Sequence, residues 1–308
     1  MNPSAQPYVN EMAGDLKIAY SLMYEDVLSL FKEAIEKDSP LELFLAKLDE
    51  LPVVEEPIQK AKASKPSAYE KARLKGKYEG WSGENYNKLI SAIIQENQKK
   101  TAYAVASVDK KKFEVSTKGK IEMPSLSYVI NRSPTIIKSA DQGELLNKTV
   151  REKLRTTIKA TIQEEGLLWG GKTKQKTVTA VKSAISGVFE NYTSKGIPPN
   201  IETIAVTETM AISNSIKEEY ARETKRKTGL NIKKRWLHFP SKSDEPRKGH
   251  AKLNRKSIDS EDFFVLQGYK SGKPTGEIFK IQRPYDSSLP GSERIGCHCE
   301  LEYYVDTK

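Results

Sequence analysis

The sequence predicts an α+β protein, mainly helical in its N-terminal and middle regions, with a small β-containing C-terminal lobe. Three observations predict it. Apolar residues recur every three or four positions along much of the chain up to Gly229, the spacing that lines one face of a helix. Beyond Gly229 the pattern shifts to short runs such as Phe263-Phe264-Val265-Leu266 and Glu277-Ile278-Phe279-Lys280-Ile281, which read as strands. All three histidines and both cysteines fall between His238 and Cys299, so the chemically versatile side chains share that lobe.

The elements follow in order. Residues 1–10 read as an unanchored tail. From Glu11 to Lys37, Leu16, Ala19, Met23, Val27, Leu30, Phe31 and Ala34 mark an amphipathic helix that Ser39-Pro40 ends, because proline cannot continue the ladder. A short helical piece follows over 41–48. Residues 52–80 hold Pro52, Pro57 and Pro66 among many Lys and Glu and read as a mobile linker. A helix is expected over about 84–106, with Tyr86, Leu89, Ile90 and Ile93 on one face, and short strands within 108–140.

Leu146, Val150, Leu154, Ile158 and Ile162 stand four apart on the next helix, which Gly166, Gly170 and Gly171 break. Gly170-Gly171-Lys172 lacks the spacing and the preceding strand of a phosphate loop. Two more helices are expected, over 175–194 and over 200–228, the last capped by Gly229. Leu301 to Val305 is a candidate third strand, and a hairpin with a long loop is expected around Gly268 to Gly276. These readings divide the chain into a helical N-terminal region, 1–140, and a module, 141–308, made of helices over 141–229 and an α+β lobe over 230–308.

The 308 residues carry a net charge of +10, with 37% hydrophobic and 30% charged residues. The excess is spread along the chain and permits contact with a polyanion. No stretch is apolar enough to span a bilayer, and the N-terminus lacks the charged and apolar blocks of a signal peptide. Cys297 and Cys299 are the only cysteines; a disulfide across one residue is strained, so the chain suits a reducing cytoplasm.

Three chemistries compete in the lobe. A metal site would draw on His250, Cys297, His298 and Cys299, although zinc sites usually separate paired cysteines by two to four residues. A hydrolase, such as a metal-dependent nuclease, would use His250 or His298 as general base, with Glu300 or Asp286 nearby. The third reading is structural: both thiols point into one small core with His250 packed beside them, and no metal or other cofactor is needed.

One further pattern joins these residues. Ala205-Val206-Thr207-Glu208 stands at a helix start, followed by Trp236, Arg247-Lys248-Gly249-His250, Arg283-Pro284-Tyr285-Asp286 and Cys297-His298-Cys299. In order and type this set resembles the Mu F-like head morphogenesis family of tailed bacteriophages over about residues 145–305. Glu208, Trp236, Arg247, His250, Pro284, Cys297 and Cys299 match its structural motif; Val206 departs from it, standing where the family usually has Arg. The resemblance implies a minor head protein, not an enzyme. Such a protein attaches to the portal during procapsid assembly in the host cytoplasm, is packaged inside the virion head, and acts in DNA retention or ejection. Scaffolding or major capsid protein are further partners on that reading. Some members carry fused enzymatic domains; the chain ends shortly after Cys299, and no such domain is expected.

Double-stranded DNA would then be a neighbour. Arg222, Lys225, Arg226, Lys227, Lys233, Lys234 and Arg235 crowd into 14 residues with Glu223 as the one acid among them, a density suited to sequence-independent phosphate contact. The same cations also suit a helix C-terminus. The apolar stripes of the helices over 11–37 and 84–106 are the expected portal-binding surface.

Overall fold

A computed structural model describes residues 5–37, 39–50, 68–78, 86–133, 142–164, 174–194, 198–239, 247–270 and 273–306. Within them the order is α1 (Gln6–Glu36), α2 (Leu41–Glu50), α3 (Ala68–Lys77), α4 (Tyr86–Ser116), α5 (Leu126–Asn131), α6 (Gln142–Glu164), α7 (Lys174–Thr193) and α8 (Pro199–Thr228). Then come β1 (Ile232–Leu237), α9 (Lys248–Lys252), β2 (Ser257–Asp259), β3 (Phe264–Lys270), β4 (Lys273–Ile281), α10 (Gly291–Arg294) and β5 (Glu300–Val305). The chain is α+β, helical until Thr228 with small antiparallel sheets after it. No described helix is long and apolar enough to cross a membrane.

Two compact units divide the chain. One comprises Met12–Ile94 and Ala140–Glu202; the other comprises Met1–Glu11, Gln95–Ser139 and Thr203–Lys308. The expected cut near 140 is one of four crossings, because α1, α4 and α8 each run through a cut and the C-terminal unit recruits Met1–Glu11 and Gln95–Ser139.

The first unit is held by the stripes that the spacing predicts. On α1, Leu16, Ala19, Met23, Val27, Leu30, Phe31 and Ala34 are all buried. Aromatic pairs carry much of this contact: Tyr20 lies 4.6 Å from Tyr192, Tyr24 5.2 Å from Phe189 and Phe31 5.8 Å from Phe44, centroid to centroid. Such tilted pairs add to the area they bury. Val150, Leu154 and Ile158 of α6 and Val181, Ile185 and Val188 of α7 are buried in the same core, with Leu89, Ile90 and Ile93 of α4. Asp15 is buried too, and accepts hydrogen bonds from Arg73, Lys77 and the Tyr78 hydroxyl, each at 2.5 Å.

Several boundaries differ from expectation. Helix α1 begins at Gln6, because Ala5 and Val9 continue its buried face into the expected tail. Helix α3 occupies Ala68–Lys77, inside the expected linker, and its end supplies two of the three groups that hold Asp15. The rest of that linker, 52–67 and 79–80, and the glycines at 166, 170 and 171 lie outside the described residues. Where short strands were expected after 108, α4 runs on to Ser116 and α5 follows; no strand occurs there among the described residues. Phe113 is the reason, stacked on Tyr220 at 6.1 Å and anchoring the last turns of α4.

In the second unit, α8 ends where Gly229 adopts φ +68° and its N–H reaches the Lys225 carbonyl at 2.8 Å. The left-handed cap that glycine tolerates is therefore in place. Strand β1 is the centre of a three-stranded antiparallel sheet, order β2-β1-β5. Trp236 pairs with Leu301, and Leu237 with Glu300. Strands β3 and β4 form a separate hairpin, with Phe264 opposite Ile281. Its strands extend through most of the expected loop, leaving only a short connection between Lys270 and Lys273.

Candidate functional site

Three segments converge at one end of the three-stranded sheet. His238 follows β1, His250 lies on α9, and Cys297 and Cys299 precede β5. His250 Nδ1 is 3.4 Å from Cys297 Sγ and 3.4 Å from Cys299 Sγ. His238 Nδ1 is 3.3 Å from Cys299 Sγ. The ligand atoms of His250, Cys297 and Cys299 all lie within 4.8 Å of one another, and these three residues are buried. His238 is half-buried and, with Phe239, Arg247, Gly296, Cys297, His298 and Cys299, lines a small pocket that opens on the cluster.

The backbone carrying the cysteines is fixed from several sides. Gly296 takes φ +66°, which turns the chain from α10 into the Cys-His-Cys segment. Its N–H donates to Thr207 Oγ1 at 2.9 Å. The Tyr285 hydroxyl donates to the Cys297 carbonyl. Asn214 of α8 donates to the Cys299 carbonyl at 3.1 Å and accepts from the Leu301 N–H at 2.8 Å. Arg247 donates to the carbonyls of Glu293 and Ile295 at 2.8 and 2.5 Å. The Cys299 N–H points back at Cys297 Sγ, 3.4 Å away. Thr207 thus ties α8 to the cysteine segment beside Val206, which is itself buried.

His250 is oriented by its other nitrogen. Nε2 lies 2.9 Å from Glu293 Oε2, and the ring stands edge-on to Trp236 at 5.6 Å. Burial pulls the His250 imidazole down, but its bonds to Cys297 and Glu293 outweigh burial and leave it raised. The hydrogen bond to His250 holds Glu293 below its ordinary range. Burial, then the neighbouring His250, lowers His238. A hydrogen bond from Cys299 places the Cys297 thiol well below the usual range against the opposing effect of burial, with His250 assisting. The same bond and burial push Cys299 well above it. The cluster therefore sets two thiol groups and two histidine rings side by side, which can bind a soft cation or share protons.

Several sequence-based expectations change here. Cys297, Cys299 and His250 do meet. The second histidine beside the sulfurs is His238, whereas the intervening His298 is only partly buried between two buried cysteines. The carboxylate on His250 is Glu293, not Glu300 or Asp286. Glu300 is buried in an ion pair with Lys217, and Asp286 accepts from the Gln282 and Ser288 N–H groups. His250 therefore does not pair with Glu300 or Asp286. Glu208 accepts from Gln98 at 2.9 Å, and burial pushes it up to about 7. Pro284 precedes Tyr285, the residue that binds the Cys297 carbonyl.

The basic cluster proves largely paired. Lys225 bridges Asp259 and Glu261, Arg226 pairs with Glu223, Lys227 with Glu122, Lys233 with Asp306 and Arg235 with Glu302. Lys234 is fully buried; its ammonium donates to the Gln282 carbonyl at 3.0 Å and sits over the Phe264 ring. Burial pulls it down to about 8, and it cannot be a phosphate contact in this fold. Arg222 is exposed, and its charge acts on Glu219 and Glu223. The stripes on α1 and on the first turns of α4, expected at a portal interface, are buried within the chain.

Comparison with known proteins gives one kind of relative. The uncharacterized protein YqbB of Bacillus subtilis (strain 168) is 28% identical over 148 residues, covering 44% of this chain and 44% of that protein. The match thus spans less than half of the relative's length. No family model matches the chain. No solved structure matches it.

Proposed function

We propose that this protein is a minor head protein of a tailed phage, bound to the portal during procapsid assembly and retained in the virion beside the packaged DNA. One observation carries the reading. The separate motifs that resemble the Mu F-like head morphogenesis family belong to one unit, and most of them serve one cluster. Trp236 flanks His250, Arg247 fixes the turn before Cys297, and the Pro284-Tyr285 step leads to the bond on the Cys297 carbonyl. Residues scattered from Glu208 to Cys299 have a shared structural reason to occur together, which supports treating them as one inherited motif.

Portal contact falls to surfaces other than the buried stripes. Tyr103, Val108 and Val115 of α4 are exposed apolar side chains, and such residues suit a partner. DNA contact is weak and sequence-independent on this reading, since Lys225, Arg226, Lys227, Lys233 and Arg235 must exchange acidic partners for phosphates. The test is co-sedimentation. The protein, expressed with the portal protein of the same genome, is expected to travel with the portal oligomer and with procapsids. Migration as a free protein in both gradients would overturn the proposal. Cleavage of DNA by the purified protein with a divalent metal would replace it with a nuclease.

A further inference from the structure

We infer that His238, His250, Cys297 and Cys299 form a tetrahedral zinc site that locks the C-terminal lobe. The inference is independent of the head-protein reading, because it rests on donor geometry alone. Zinc binds thiolate sulfur at about 2.3 Å and imidazole nitrogen at about 2.0–2.1 Å, so a tetrahedral N···S edge measures about 3.5 Å. The three nearest N···S separations between the histidines and the cysteines are 3.3, 3.4 and 3.4 Å. Three edges thus already have tetrahedral length; the His250, Cys297 and Cys299 ligand atoms lie within 4.8 Å of one another, and His238, 3.3 Å from Cys299 Sγ, has to swing closer to the other two to complete the set.

The surroundings match a ligand set better than a set of packed thiols. His250 turns Nδ1 to the sulfurs because Nε2 is held by Glu293 at 2.9 Å. This is the carboxylate–histidine support that fixes tautomer and ring orientation in metal sites. The Cys299 N–H is directed at Cys297 Sγ, a bond that favours a thiolate over a thiol. The single His250 nitrogen faces both sulfurs at 3.4 Å. A dication would satisfy both sulfurs and both rings at once.

Spacing, the objection raised from sequence, is answered by the local backbone. A knuckle needs a tight turn at its cysteines. Here α10, the Cys297 N–H to Arg294 carbonyl bond and the left-handed Gly296 supply one just before Cys297. Extended residues then alternate sides, so Cys297 and Cys299 face the site together and His298 does not. The pocket flanked by His238 and Arg247 provides an entry path. Sulfur and imidazole donors select zinc over calcium or magnesium. The ion would join β1, α9 and the approach to β5 in a lobe whose sheets, among the described residues, have three and two strands, where one metal contributes a large share of the folding energy.

The experiment uses the full-length chain, made without an affinity tag in zinc-supplemented medium and kept reduced. Elemental analysis should find about one zinc per chain, and a strong chelator should lower the melting temperature. Cobalt added to the stripped protein should give the intense ligand-field and thiolate-to-metal bands of a tetrahedral site. His238→Ala should fold, since His238 is half-exposed at a strand end, and should weaken cobalt binding about tenfold or more. His298→Ala should bind as the parent does. Metal-poor protein with no cobalt bands would overturn the assignment, as would loss of binding on His298→Ala alone. Rapid alkylation of Cys297 by iodoacetamide, unaffected by zinc, would overturn it in favour of a nucleophilic cysteine.

Discussion

Asp15 and Lys217 are both charges taken out of water, and each unit of the molecule treats its own differently. Asp15 in the helical unit is 1% exposed, yet two of its three partners, Arg73 and Lys77, keep 36% and 19% of their side chains in solvent. All three partners come from α3 or the residue after it. Lys217 in the C-terminal unit is buried against Glu300, which is buried as well, and donates to the Leu301 carbonyl at 3.0 Å. Asp109 sits close enough to feel that ammonium. The first arrangement leaves an escape route to water and the second does not. Apolar stripes hold the helical unit and its buried charge is an addition to them. The C-terminal unit is specified by polar contacts between residues more than 80 positions apart.

The comparison predicts its own order of damage. Lys217→Met strands two carboxylates in the core and should cost about 3–5 kcal/mol in denaturant unfolding. Adding Glu300→Leu should recover most of that loss, and a double variant as unstable as the single would refute the ion-pair account. Asp15→Ala should cost less, about 2–3 kcal/mol, because Arg73 and Lys77 rehydrate and the loss is mainly that of the buried Tyr78 hydroxyl bond to the carboxylate. Equal losses for Lys217→Met and Asp15→Ala would erase the distinction between the units.

A pH series sharpens it further. Burial pushes Asp109 up to about 6, against an ordinary 3.8, although Lys217 and Lys112 pull it down. The folded state holds this proton more tightly than the unfolded state. Its contribution is therefore complete below pH 3.8, declines as pH rises to about 6, and is constant above that. Asp109→Asn should remove that decline, leaving the variant about 1–2 kcal/mol more stable than the parent at pH 7.5 with no such gain at pH 3.5. A difference independent of pH would reject titration of Asp109 as its source. The smallest effect belongs to Thr207→Val. It unpairs the Gly296 N–H, which is only part-buried, and should cost about 1 kcal/mol, read as faster amide exchange at Gly296.

The same contrast explains what the sequence discloses. Helices α1, α6, α7 and α8 are legible because their cores are periodic. The end of α4 is not, because the position between Ala106 and Phe113 on its buried stripe holds Asp109, and a charge at a stripe position hides the period. Helix α3 is hidden in the same way, its composition being that of a linker, with Leu74 buried on it and Arg73 and Lys77 held by a carboxylate on α1. In the lobe, the pairing of Cys297, Cys299 and His250 is legible from motif order. His238 is not, since it stands 59 positions before Cys297 and no spacing rule reaches that far. His298, adjacent in sequence, is the natural choice, but an extended chain turns alternate side chains to opposite sides, and His238 is the second ring within 3.3 Å of a sulfur. The local charge of the basic cluster is overstated by the sequence for a related reason: a charge count along the chain does not register the acids that β2, β5 and their flanks bring beside it.

The four crossings between units have a consequence for synthesis on the ribosome. Every segment of the helical unit has been made once Glu202 is added, so that unit can assemble while the remainder is still being translated. The other unit waits. Its first segments, through Ser139, must stay unpaired until α8 and then β5 arrive, the latter only at Glu300–Val305. Closing loops of this length makes the last step slow. During that interval the face of α4 that carries Phe113 and is meant for Tyr220 is open, and the nascent chain is at its most vulnerable to mispairing and proteases.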